Sequence, residues 1–251
     1  MHGKRLLAGV SLALLAAVTG CAITFDDYPA GLTGSGGGTS GGASSSTAGG
    51  GGDGASTSSG GIDPNPPVGI VLQGLHYTAQ AGTLDGGLPH EDACPSGQVV
   101  IGYQGYLDPG MGYHAQLQAR CGTPAISGGG PYAVTITPAG LTPPEGNAGY
   151  ANLWTRLCAP NQAIVGFSGR SGAFIDLLRF DCASLLLTGA PGSYLVSIGA
   201  TTVLPDVGDM GPSSFDDTRC PKGEVATENH LRSGDVIDAF GLGCSKPVVT
   251  Y

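Results

Sequence analysis

Three short segments of the chain, each ending in a cysteine, alternate apolar and polar side chains as a half-buried β-strand does. The first segment has polar residues at Gln116, Gln118 and Arg120. Counting back by twos from each cysteine gives an apolar set: Leu117 and Ala119, Leu178 and Phe180, and Phe240 and Leu242. Successive side chains of a strand point to opposite faces, so we expect the apolar set to face a core and the polar set to face solvent. No comparable stretch has a helical period, which predicts an all-β fold.

Six cysteines divide the second part of the chain into three similar units. They lie at positions 94, 121, 158, 182, 220 and 244, so the members of each pair are 27, 24 and 24 residues apart. Each unit opens with a proline-containing turn, continues as a β-rich run, breaks at glycines and ends in a second strand. A period this regular indicates an internal repeat. We expect one domain over residues 67–251, with repeats of about 67–130, 131–190 and 191–251.

Further apolar runs begin at Val68, Tyr132 and Tyr194, between or before these hairpins. Together they give each repeat four strands. Three such sheets bury their edges only by packing around a shared axis. The expected architecture is therefore three four-stranded Greek-key sheets with pseudo-threefold symmetry.

The cysteine pattern favours disulfides over a metal site. Six cysteines permit fifteen connectivities, and the repeat makes the pairs Cys94–Cys121, Cys158–Cys182 and Cys220–Cys244 the simplest choice. Metal sites usually contain closely spaced CxxC pairs or histidine clusters. The chain has no such pair, and the histidines of the domain are scattered at His76, His90, His114 and His230. The sequence thus predicts no metal ligand and no cofactor.

The N-terminus has the features of an export signal. Lys4 and Arg5 precede an apolar run over residues 6–18, which is too short for a permanent membrane span and is followed by "VTGC". This junction resembles a bacterial lipobox. The resemblance implies a signal peptide over residues 1–20, acylation of Cys21 with chains such as palmitate, and attachment to a membrane. The alternative is an ordinary signal peptide cut near Gly20 or Ala22.

Residues 21–66 form the segment between the predicted lipid and the domain. Residues 31–61 are almost entirely Gly, Ser, Thr and Ala, a composition typical of a flexible linker. The formal net charge of the chain is −9, which disfavours a nucleic-acid partner. We expect a lipid-anchored protein of the bacterial cell envelope, located at the outer membrane or the cell surface.

Two glycine-rich loops that contain an acid precede the last strands of the second and third repeats. They occur in "IVGFSGRSGAFIDLLRF" and "LRSGDVIDAFGL". The first stretch resembles the late hairpin of jacalin-related lectins, and the repeated "C-P-x-G…C" frame is similar to that of vitelline membrane outer layer proteins. Both families share the β-prism I fold. The lectin resemblance implies a sugar site at Gly172, Phe174 and Asp176 and a second one at Gly234 and Asp238.

The same acids allow a structural interpretation, in which Asp176 and Asp238 accept hydrogen bonds from the amides of their own loops. The first repeat has Ala115 at this position. No nucleophile motif or phosphate-binding loop is present, so we predict no catalytic residue and no enzyme activity. The predicted function is a membrane-anchored lipoprotein with a non-catalytic β-prism domain that binds glycans or polysaccharide. The alternative is a structural envelope or coat protein with no small-molecule ligand.

Overall fold

The computed structural model describes residues 63–149 and 152–251. The predicted signal peptide, Cys21 and nearly all of the linker lie outside the described residues. Within the described ranges every regular element is a β-strand, as the alternation predicts. No helix capable of crossing a bilayer is found in these ranges.

Fifteen strands build the domain. In chain order they are β1 (Gly69–Tyr77), β2 (Ala81–Gly82), β3 (Leu88–Ala93), β4 (Val99–Leu107), β5 (His114–Ser127), β6 (Ala133–Leu141), β7 (Glu145–Gly146), β8 (Asn152–Leu157), β9 (Gln162–Ser171), β10 (Ile175–Thr188), β11 (Leu195–Val203), β12 (Val207–Gly208), β13 (Ser213–Arg219), β14 (Val225–Ser233) and β15 (Ile237–Thr250).

These strands form three sheets with the same internal order. Sheet I runs β6–β5–β4–β8, sheet II runs β11–β10–β9–β13, and sheet III runs β1–β15–β14–β3. The two-residue strands β7, β12 and β2 pair beside them with β5, β10 and β15. All pairings are antiparallel. Three equivalent four-stranded sheets constitute a β-prism, and the fold prediction is confirmed.

Sheet III joins the two ends of the domain. Its strands β1 and β3 come from the start of the domain, whereas β14 and β15 come from its end. The backbone N–H of Val68 donates to the carbonyl of Thr250 at 2.8 Å, and Gly69 is the register partner of Thr250. The pairing of β1 with β15 thus covers the edge of the last hairpin.

The core lies between the three sheets and contains the apolar set that the alternation predicts. Leu117, Ala119, Leu178, Phe180, Phe240 and Leu242 are all fully buried. Tyr103 of sheet I stacks on Phe180 of sheet II with ring centroids 4.4 Å apart, and Phe240 of sheet III meets Tyr103 edge-on at 5.5 Å. One aromatic cluster therefore connects all three sheets.

The outer row of β5 is less exposed than the sequence predicts. Gln116 is only 8% exposed, so the prediction that it faces solvent is wrong. Tyr106 is its cross-strand partner and shares this face, where it reduces the exposure of Gln116. Gln118 and Arg120 are half-buried, because Gln104 donates to Gln118 at 2.8 Å and accepts from Arg120 at 2.6 Å. Polar side chains on this face thus cover one another.

The three disulfides have the predicted pairing, and each one joins two different sheets. The bonds are Cys94–Cys121, Cys158–Cys182 and Cys220–Cys244, with Cα–Cα distances of 5.7, 5.6 and 5.7 Å. The first cysteine of each pair directly follows the last strand of one sheet, and the second lies in the long strand of the next sheet. The bonds therefore connect sheet III to I, sheet I to II and sheet II to III in a closed ring.

Candidate functional site

Asp176 is the second residue of β10 and lies against the connection between β12 and β13. The backbone N–H of Asp209 in that connection donates to the backbone carbonyl of Asp176 at 3.0 Å. The carboxylate itself contacts Gly211. A Cβ atom at Gly211 would lie 2.2 Å from Oδ2 of Asp176, so only glycine fits at that position.

Asp238 has the same surroundings in sheet III. It is the second residue of β15, and the backbone N–H of Thr83 donates to its carbonyl at 2.9 Å. Its carboxylate lies against Gly86 and Gly87, between β2 and β3. Cβ atoms at these glycines would lie 2.3 Å from Oδ1 and 2.5 Å from Oδ2 of Asp238, respectively. Each carboxylate is therefore backed by a glycine of the opposite connection.

An arginine holds the glycine connection in place in both sheets. Arg170 Nε donates to the carbonyl of Gly211 at 2.6 Å. Arg232 donates to the carbonyls of Gly86 and Gly87 at 2.7 and 2.9 Å. Neither arginine is among the residues predicted from the lectin resemblance. The signal for them is the shared "RSG" before each acid, which the first repeat lacks because it has Tyr106 there.

The first unit has the same backbone hydrogen bond as the other two units but lacks their carboxylate. The N–H of Asn147 donates to the carbonyl of Ala115 at 2.8 Å, as Asp209 and Thr83 do in the other units. Ala115 is fully buried and offers no carboxylate. Two of the three units thus combine a carboxylate, a glycine and an arginine.

Both carboxylates lie in partly buried positions that disfavour their ionised form. Burial raises the pKa of Asp176. The hydrogen bond from the backbone N–H of Gly172 lowers this pKa, and the negative charge of Asp209 raises it. Oδ2 of Asp176 is buried without a hydrogen-bond partner. Burial also raises the pKa of Asp238, against the attraction of Arg232. Because the folded-state pKa is raised, these groups favour folding below their unfolded pKa, and this contribution is lost as the pH rises through the folded value.

Phe174 lies in the loop before Asp176 and is half-buried. Its ring packs against Tyr113 of the first unit, with centroids 5.1 Å apart and planes at 57°. The corresponding position of the third unit is Val236. The two carboxylate sites therefore differ, since an aromatic pair accompanies Asp176 alone.

Three further residues, Trp154, His114 and His76, make packing or pairing contacts within the fold. Trp154 is buried in the core. His114 is fully buried, its Nε2 lies 3.1 Å from the carbonyl oxygen of Val207, and burial lowers its pKa to about 4. The exposed His76 pairs with the buried Glu224 at 2.8 Å.

No protein-family model matches the chain, and no curated protein matches it. Several lectins are among the solved structures that are similar to it. Malaysian banana lectin is 14% identical, with 68% of this chain and 98% of that chain covered and a TM-score of 0.42. Frutapin, a lectin from Artocarpus incisa, is 14% identical, with 69% and 98% covered and a TM-score of 0.43. Calsepa lectin in complex with a biantennary N-glycan is 12% identical, with 72% and 100% covered and a TM-score of 0.44.

Proposed function

We propose that this protein binds carbohydrate, without catalysing a reaction, at the carboxylates of Asp176 and Asp238. The observation that carries the proposal is the repeated arrangement of carboxylate, glycine and arginine at two of three equivalent loops. A feature needed only to complete the loop would be expected in the first unit too. That unit forms the same backbone contact with alanine.

The chemistry of the two sites suits sugar hydroxyls. An ionised carboxylate accepts several hydrogen bonds, and the adjacent glycines allow a ligand to approach the backbone closely. The glycines of the sequence motif, Gly172 and Gly234, lie in the half-buried to exposed loops that precede the two acids. Neighbouring hydroxyls of one sugar ring would enter at these loops, where Asp176 is only half-buried.

The raised pKa values favour a ligand role over a purely structural one. A carboxylate whose main task is to accept loop amides is stabilised in its charged form, which lowers its pKa. At Asp176 the amide of Gly172 opposes the effect of burial without reversing it. Acids whose pKa is raised by burial are candidates for function.

Glycan binding tests this proposal directly. On a glycan array, Asp238→Asn and Asp176→Asn together should lower binding at least about tenfold, the effect of losing roughly 1.4 kcal/mol of binding free energy. Asp235→Asn is the matched control, because Asp235 is exposed in the same loop as Asp238. The free energy of unfolding of the double variant should fall by less than about 3 kcal/mol, because each amide keeps the shape of the carboxylate that it replaces, so the variant stays folded in the binding assay. A doubly substituted protein that binds glycans as well as the parent would exclude these loops as the site.

We further propose that the domain is displayed by a lipid-anchored protein of the bacterial cell envelope, at the outer membrane or the cell surface. The "VTGC" junction at Cys21 and the Gly/Ser-rich segment that follows support this proposal. Lipid anchoring would place a glycan-binding domain at the end of a long tether.

Replacing Cys21 with serine should abolish acylation and move the protein from the detergent phase to the aqueous phase in phase partitioning. Asp26→Asn, close to the same junction, should leave partitioning unchanged. If the Cys21→Ser protein still fractionates with membranes like the parent, the lipobox interpretation is wrong. Glycan binding of the folded domain is not affected by this outcome.

A further inference from the structure

The pseudo-threefold symmetry creates three equivalent seams between neighbouring sheets. At each seam the edge strand of one sheet (β8, β13 or β3) comes near the two-residue strand of the next (β12, β2 or β7). Equivalent positions of the three edge strands are identified by their cross-strand partners. Trp154 pairs with Gly105, Phe215 with Gly169 and His90 with Leu231. The short-strand positions are matched likewise by Val207, Ala81 and Glu145, which pair with Leu178, Phe240 and Leu117.

Two of these seams are apolar and the third is charged. Trp154 and Val207 belong to the hydrophobic core, and Phe215 and Ala81 pack against it. At the seam between sheets III and I, the equivalent positions hold His90 and Glu145. Replacing an apolar pair by ionisable groups in a protein interior costs free energy unless the groups gain partners. The fold itself therefore does not require a histidine and a glutamate here.

A third ionisable group completes a compact cluster. His90 Nδ1 lies 3.0 Å from Glu145 Oε2, and Asp92 is two residues further along β3. One ligand atom from each of His90, Asp92 and Glu145 can be chosen so that all three lie within 4.8 Å of one another. Atoms bound to one tetrahedral ion are roughly 3 to 3.5 Å apart, so small side-chain rotations would bring these three onto a shared cation.

A separate observation shows that oxygen atoms at this seam lack partners. Asn229 is the cross-strand partner of Asp92, so the two side chains share one face of sheet III. Asn229 is fully buried, and its Oδ1 has no hydrogen-bond partner. Oδ2 of Asp92 is likewise buried without a partner. Tyr103 and Phe167 occupy the position of Asn229 in the other two sheets.

Buried oxygens without hydrogen-bond partners destabilise the fold, and two neighbouring carboxylates repel one another. A bound cation would relieve both penalties at once. Ser233 donates to Glu145 at 3.1 Å and leaves its second carboxylate oxygen available.

We propose that the seam between sheets III and I binds a divalent transition-metal cation, with His90, Asp92 and Glu145 as ligands. One imidazole nitrogen with carboxylate oxygens is a donor set that suits Zn²⁺ or Mn²⁺. Ca²⁺ prefers a larger number of oxygen ligands and has little affinity for imidazole. The site is separate from the proposed sugar carboxylates, so either proposal can fail without the other.

The test uses the full chain with its disulfides formed, stripped of metal with a chelator that is then removed by dialysis. Calorimetric titration with Zn²⁺ or Mn²⁺ alone should show one bound ion per chain, and saturating metal should raise the melting temperature. Ca²⁺ should produce neither effect. If neither transition metal binds at millimolar concentration, or only Ca²⁺ binds, the proposal is overturned.

Substitutions at the proposed ligands test where the ion binds. The double variant His90→Trp and Glu145→Val copies the apolar seam of Trp154 and Val207, and it should lose both the binding heat and the melting shift. Asp92→Asn preserves the shape of the side chain and should weaken Zn²⁺ binding at least tenfold, which keeps the test valid if the double variant does not fold. His76→Gln is the control, because His76 forms a pair with Glu224 that resembles His90–Glu145 without the third carboxylate. Equal Zn²⁺ affinity in Asp92→Asn and the parent, or loss of binding in His76→Gln, would refute the assignment.

Discussion

Replacing Cys158 and Cys182 together with alanine should lower the free energy of unfolding by about 3 kcal/mol. A disulfide that closes a loop of this length restricts the unfolded chain by about that amount in the chain-entropy model. The bond also connects sheet I to sheet II, and Cys182 is fully buried in the core. Urea denaturation of the parent and the variant would measure the difference.

The three bonds occupy equivalent places in the ring of sheets, so the other two pairs provide internal comparisons. Alanine substitution of Cys94 with Cys121, or of Cys220 with Cys244, should give losses of similar size, since the separations are 27 and 24 residues. A loss below about 1 kcal/mol for any one pair would contradict the view that all three bonds constrain the unfolded chain alike.

Phe180→Ala should be the most destabilising single core substitution, with a loss of about 3 to 5 kcal/mol of unfolding free energy. Phe180 is fully buried and lies between the rings of Tyr103 and Phe240, at centroid distances of 4.4 and 6.0 Å. Its removal leaves a cavity at the point where all three sheets meet. Denaturant titration gives the loss directly.

Phe174→Ala is the matched control for this substitution. Phe174 is half-buried in the loop before β10 and contacts Tyr113 rather than the central cluster. It should lose less than half as much stability as Phe180→Ala does. If the two substitutions cost the same, the aromatic cluster is not the centre of the core.

The sequence predicts much of this fold because the three units repeat one local pattern. Counting by twos from the cysteines identifies the buried residues Leu117, Phe180 and Phe240, since strand side chains alternate between faces. The same repeat predicts the disulfide pairs. The pattern is local to each hairpin, so it carries no information about which distant strand completes a sheet.

Two features depend on contacts that no single segment reveals. The pairing of β1 with β15 joins the ends of the domain, and the bonds between sheets follow from it. The prediction for Gln116 was wrong because alternation describes one strand and does not include the large cross-strand neighbour Tyr106. Register and neighbours are tertiary properties.

The candidate sites also combine residues that the sequence reveals with neighbours that only the folded structure brings together. Asp176 and Asp238 are visible in the sequence as the acids of two similar loops. The glycines that back them, at Gly211 and Gly86, come from connections remote in the chain. His90 and Glu145 are equally remote from each other, so their meeting at one seam follows only from the closed arrangement of the sheets.

The most direct measurement is a calorimetric count of sugar sites per chain. With a glycan selected from the array, the parent should bind two equivalents, one at Asp176 and one at Asp238. Each single Asp→Asn variant should bind one equivalent, the double variant should bind none, and Asp235→Asn should keep two. Carbohydrate binding by the carboxylates would be contradicted if the parent bound no glycan, or if the double variant bound as many equivalents as the parent with unchanged affinity.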